Sequence, residues 1–134
     1  MLLNSPLLAS GWEQFFTIIR QKTSVPPRLR ELVILRIAVL NGADYEFEAH
    51  VPHALAAGLE QEAIEGLRKN AVRLQGVEST VLRYTDAVTR DIHVTDALFD
   101  EVKRVFDEKT LVELTATIAA YNMVSRFLIA MRIR

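Results

Sequence analysis

Apolar residues recur along this chain at intervals of three and four, the spacing that lines one face of an α-helix, and strict alternation of the kind a half-buried strand needs is scarce. The pattern predicts an all-α fold: one compact domain over residues 1–134, built of six to seven helices. Ser5 can N-cap a first helix with Pro6 at its first position, running through Trp12, Phe15, Phe16 and Ile19. Thr23 to Pro27 is a break. A second helix, about Pro27 to Leu40, is apolar almost all round through Leu29, Leu32, Val33, Leu35, Ile37, Val39 and Leu40. A helix without a polar face belongs at the centre of a domain. Asn41 and Gly42 end it. A third helix covers about Asp44 to Ala57, with Gly58 suited to the position after its C-terminus. A short amphipathic fourth lies near Glu60 to Asn70 and a fifth covers about Glu78 to Arg90. Thr95 can cap a sixth through Leu98, Val102 and Val105, and the last runs from about Thr110 to Met131.

Polar residues inside this apolar frame carry the candidate chemistry. Glu46 and His50 are four apart, so they share a helix face. A carboxylate beside an imidazole raises its pKa and orients the ring, which makes a proton-transfer pair near neutral pH. The same spacing also suits an ordinary helix-surface ion pair. Glu31 lies in the central helix, where an unpaired carboxylate is costly. Either Arg28, three residues earlier, pairs with it, or it points into one cavity with Glu46 and His50. In that cavity, burial and like charge are expected to raise the Glu31 pKa, so that one carboxyl holds a proton near neutrality. His53 extends the stripe to Glu46-x3-His50-x2-His53, a set of metal-ligand types that Pro52 interrupts, so no metal site is assigned. Tyr45 and Tyr84 are phenols that need partners if buried; with His53 they are the expected substrate-binding residues. The remaining aromatics read as core. His93 reads as a surface or capping residue, and Arg126, Arg132 and Arg134 as solvated or interface residues.

Composition narrows the classes further. Sixteen basic and seventeen acidic residues give a net charge of -1, unlike the basic patch of a nucleic-acid protein, so no nucleic-acid partner is expected. Half the residues are apolar, which argues against disorder. The absence of cysteine removes disulfides, thiolate metal sites and thiol redox catalysis. The first basic residue is Arg20, so no signal-peptide n-region is present, and the longest apolar run, Phe127 to Met131, is far too short to span a membrane. A cytoplasmic location without a membrane partner is expected. So much apolar surface on so short a chain also points to self-association.

Several blocks resemble the carboxymuconolactone decarboxylase family, which includes the alkylhydroperoxidase-D-like proteins. They are Pro27-Arg-Leu-Arg-Glu-Leu-Val-Ile-Leu-Arg-Ile-Ala38, Asn41-Gly-Ala-Asp-Tyr-Glu-Phe-Glu-Ala-His-Val-Pro-His-Ala54, Ala57-Gly-Leu59 and Ala63-Ile64. Asp86 and the runs Leu111-Val-Glu-Leu114 and Tyr121-Asn-Met-Val124 fit its longer members. The resemblance implies an alkylhydroperoxidase-D-like helical bundle, a homotrimer or homohexamer with its site near a subunit interface, and a small-molecule substrate. The peroxidase branch carries a glutamate and then Cys-x2-Cys-x3-His. On that pattern Glu31 and His50 remain, while Ala43 and Glu46 stand at the thiol positions. A peroxidase activity is therefore implied by the family and opposed by the missing cysteines. The decarboxylase branch carries Glu-x3-His, which Glu46 and His50 match, with Tyr45 where that branch has a histidine. The function expected is cofactor-free acid/base chemistry of the decarboxylase or isomerase type on a small carbonyl or carboxylate compound, with Glu31, Glu46 and His50 catalytic. The alternative is a non-catalytic oligomeric binding or assembly protein on the same scaffold.

Overall fold

The computed structural model describes residues 2–134. In chain order the α-helices are α1 (Pro6–Gln21), α2 (Pro27–Asn41), α3 (Asp44–Ala56), α4 (Gln61–Arg68), α5 (Gly76–Asp86), α6 (Asp96–Val105) and α7 (Glu108–Ala130). A 3-10 turn, Leu2–Asn4, precedes α1, and a π-helical turn, Ala87–Asp91, continues α5. The architecture is all-α, and the described residues include no strand.

The apolar second helix lies at the centre, as its pattern requires. Every residue from Glu31 to Ala38 is buried, and α3, α4, α5 and α7 all pack against α2. Leu32, Val33, Ile34 and Leu35 have no exposed surface, on successive positions that together circle the helix. Gly42 ends α2 in the left-handed conformation, φ 68°, and the chain turns at once into α3. The Ala43 amide donates back to the Ala38 carbonyl at 2.8 Å, so α3 starts at a fixed angle to α2. Two buried charged residues, Glu31 and Arg36, interrupt the apolar surface of α2. Arg36 forms a two-pronged ion pair with Asp86 of α5, at 2.7 and 2.9 Å, and also donates to Asn70. Glu31 faces the other way, toward α3.

Several boundaries differ from the periodicity reading. Ser5 occupies the N-cap of α1, but its side chain makes no capping bond. α3 runs through Pro52 to Ala56, and Gly58, φ 96°, closes it where expected. α5 begins at Gly76, and after Asp86 its hydrogen bonds slip into π register. α7 starts at Glu108 because Asp107 is the cap, its carboxylate accepting from the Thr110 amide at 2.7 Å. Thr95 caps α6 by accepting from the Leu98 amide at 3.2 Å. No helix among the described residues is long and apolar enough to cross a membrane.

Candidate active site

The junction of α2 with α3 brings Glu31, His50 and Glu46 into one cluster. Glu31 projects from the buried start of α2. One turn into α3, Glu46 and His50 lie on the same face, as their spacing of four dictates. His50 Nδ1 is 2.9 Å from Glu31 Oε1, and His50 Nε2 is 3.1 Å from Glu46 Oε1. All three residues are buried, Glu31 almost completely. A neutral imidazole has one donor and one acceptor nitrogen; only the doubly protonated ring donates to two carboxylates at once.

The electrostatics agree with that geometry. Burial alone would lower the His50 pKa, but hydrogen bonds to Glu31 and Glu46, with the charges of both, push it up to about 9. Burial would raise the Glu31 carboxyl. Hydrogen bonds from His50 and then Arg30 outweigh that, and its pKa lies below the ordinary value. This corrects the expectation that Glu31 holds a proton near neutrality: opposite charges at hydrogen-bond distance outweigh desolvation. The partner on the chain side is also not Arg28. Arg28 bonds Glu78 at 2.7 Å, Glu60 and the Gly58 carbonyl. Arg30 takes Glu31, with Nε 2.9 Å from Oε2, and its Nη1 donates to the Arg20 carbonyl of α1 at 2.6 Å. Arg30, Glu31, His50 and Glu46 thus form a line of alternating charge with no net excess.

Aromatic rings wall this line. Tyr121 of α7 stands perpendicular to the His50 ring at 5.6 Å, and Phe16 of α1 stands perpendicular to Tyr121 at 5.5 Å. Burial pushes the Tyr121 phenol well above its ordinary pKa, so it is a hydroxyl, not a phenolate. Of the expected substrate-binding residues, His53 is exposed with its ring 5.2 Å from His50. Tyr45 is half-exposed beside Glu46. Tyr84 is buried, its hydroxyl bonded to Thr115 at 2.8 Å, and it shares no hydrogen bond or ring contact with the cluster. No group of three or more His, Asp or Glu among the described residues is placed to hold a metal ion.

Glu46 is the member that meets a groove. The groove holds about 590 Å³ between the start of α3 and the end of α7, lined by Tyr45, Glu46, Leu128, Ile133, Arg132 and Arg134 among others. A larger one, about 660 Å³ beside α4, is lined by Arg28, Glu60 and Lys69 and holds no member of the cluster. The sequence places Tyr121 in the core and Arg132 in solvent or at an interface, and gives Arg30 no role at the site. Arg30 adjoins Glu31 in sequence, so helical spacing does not pair their side chains. Tyr121 on α7 and Arg132 just past its end lie far along the chain, with no local pattern linking them to His50.

An all-helical frame carrying a buried glutamate and a Glu-x3-His pair defines the class of protein. The chain belongs to the carboxymuconolactone decarboxylase family, whose model matches residues 6–87. No curated protein matches it. It is similar in structure to a protein of unknown function from Agrobacterium tumefaciens, proposed to be the antioxidant defence protein AhpD. That likeness has a TM-score of 0.89 at 21% identity, covering 99% of this chain and 93% of that one. It is also similar to an uncharacterized peroxidase-related protein from Silicibacter sp. TM1040, with a TM-score of 0.87 at 14% identity over 97% and 71% of the two chains. At these identities the likeness establishes the AhpD-like fold.

Proposed function

We propose that this chain is an acid/base enzyme of the decarboxylase or isomerase type, acting on a small carbonyl or carboxylate compound. The observation that carries the reading is His50 held between two carboxylates, one sealed in the core and the other opening on a groove. Glu31, fixed by Arg30, holds the imidazolium in orientation. Glu46 exchanges the proton between His50 and the ligand. In a decarboxylation the C–C bond to the carboxylate breaks, CO2 leaves, and the electron pair remains as an enolate. His50, through Glu46, then returns a proton to carbon. In an isomerisation Glu46 first removes the proton α to the carbonyl and the same relay returns it elsewhere. No cofactor is invoked. Thiol peroxidase chemistry is not proposed, because the chain has no cysteine to supply nucleophile or resolving thiol. We place the protein in the cytoplasm as a homotrimer or a dimer of trimers.

Proton exchange tests the chemistry without knowledge of the natural substrate. In D2O, small 2-oxo acids, 3-oxo acids and lactones should lose α-proton signals in 1H NMR, or release CO2, faster with protein than with buffer. His50→Gln should abolish the difference. A panel in which no compound reacts faster with protein than with buffer would sink the reading. One observation favours the second reading, a binding or assembly protein: every charge in the cluster is paired internally. In that case His50→Gln lowers stability and there is no exchange to lose.

A further inference from the structure

We propose that the groove between α3 and the end of α7 is a binding site for a small organic carboxylate, with Arg132 as the residue that selects the anion. The inference rests on the acid/base reading above for its chemistry and on the groove alone for its binding. The family model ends at residue 87, so the wall from Leu128 to Arg134 lies outside the residues it matches.

Three observations converge on the groove. First, its volume of about 590 Å³ suits a small ligand. Second, Glu46 lines it although the residue is only 7% exposed, and Glu46 Oε1 is committed to His50. The groove therefore reaches the proton relay at its outer carboxylate. Third, the wall facing α3 is set by an unusual backbone. Two residues past the end of α7, Arg132 stands at φ 61°, a conformation glycine adopts at little cost and a side-chain-bearing residue does not. The Ile133 amide donates back to the Leu128 carbonyl at 2.9 Å, folding the chain over so that Arg132, Ile133 and Arg134 all line the groove. An arginine held where glycine would relieve strain is a reason to seek a use for its side chain. Neither Arg132 nor Arg134 makes an ion pair or side-chain hydrogen bond among the described residues, in contrast to Arg28, Arg30, Arg36 and Arg83.

Ligand class follows from the lining. Asp44 and Glu46 charge the α3 side negative, Arg132 and Arg134 charge the α7 side positive, and Leu128, Ile129 and Ile133 give an apolar floor. A carboxylate pairs with the guanidinium of Arg132 in a two-pronged contact. A short apolar body covers the floor, and a carbonyl at the far end faces Glu46, which delivers or takes the proton.

Levulinate and its neutral methyl ester separate these features, since they share a ketone body and differ in the charge. Binding is read by NMR from the His50 Cε1 proton and the Arg132 side-chain signals at fixed pH and ionic strength. Levulinate should shift both sets, and the ester should bind about tenfold more weakly or not at all. Arg132→Ala should weaken levulinate by about tenfold and leave the ester unchanged. Arg132→Gly should weaken it equally while raising Tm, because glycine relieves the positive φ; a purely structural arginine would not separate the two. Equal affinity for acid and ester, wild-type affinity in Arg132→Ala, or no binding of levulinate at tens of millimolar each overturns the proposal. Arg132-dependent binding without catalysed exchange of any compound leaves this site standing and removes the enzymatic reading. Exchange that needs His50 but ignores Arg132 does the reverse.

Discussion

His50 links protonation to folding in a direction its geometry dictates. Its pKa rises from 6.5 to about 9 on folding, so the folded state binds the proton more tightly. The resulting stability is complete below pH 6.5, where the unfolded ring is also charged, and is lost as pH rises through about 9. It amounts to on the order of 3 kcal/mol. Denaturation curves at pH 6 and pH 9.5 should show that difference in the wild type and not in His50→Gln. Glu31 acts in the opposite sense: its lowered pKa contributes stability above the ordinary carboxylate range that disappears as pH falls through the folded value. Glu31→Gln leaves Arg30 and the imidazolium without their shared anion in the core, and should cost about 3 kcal/mol in urea denaturation. His53→Ala touches an exposed ring and should stay within about 0.5 kcal/mol. A large effect at His53 with a small one at Glu31 would reverse the assignment of the buried cluster.

At the level of elements, the seams between helices are where local chemistry decides stability. The Thr95 hydroxyl holds the first turn of α6, and Thr95→Ala should cost about 1 kcal/mol. Ile92, after the π-helical turn, has φ 67° and is 79% exposed, an unfavourable backbone for a β-branched residue without burial to offset it. Ile92→Gly should raise Tm, measured by circular dichroism, and a fall would show that the side chain matters more than the strain. These seams also mark how far the sequence was legible. The central place of α2 was readable because no face of Pro27 to Leu40 is polar. The Glu46–His50 pair was readable because four residues make one helix face. The start of α7 was misplaced at Thr110 because the apolar pattern begins there, whereas the Asp107 cap sits three residues upstream. Arg28 was the natural partner of Glu31 by spacing, yet α4 and α5 offer it Glu60 and Glu78, and only the folded arrangement shows that competition. The Tyr121–His50 contact joins residues on different helices, and no periodicity encodes it.

The whole molecule leaves its apolar surface unevenly covered. Leu3, Leu7 and Leu8, ahead of and within the first turn of α1, are exposed, while Phe16 and Ile19 of the same helix are buried. A homotrimer or hexamer would cover such residues, and sedimentation velocity at micromolar concentration should show it. Leu7→Glu should then shift the distribution toward monomer without loss of helix signal. A monomer in the wild type would count against assembly and against any site completed by a neighbouring copy.

The burial of α2 on every side has a consequence for exchange of its backbone hydrogens with solvent. Amides that open only when the whole structure opens exchange with the full free energy of unfolding. Those of Leu32 to Ala38 should therefore form the slowest set in the protein, with a denaturant dependence equal to that of global unfolding. The groove wall formed by Arg132 to Arg134, bonded only locally to the end of α7, should exchange through local opening and much faster. Glu31 is thereby anchored to the part of the molecule that opens last, and Arg132 to a part that opens first. A ligand clasped between Glu46 and Arg132 should slow exchange at the loose end by suppressing local opening, and along α2 only by the stability that binding adds to the whole molecule.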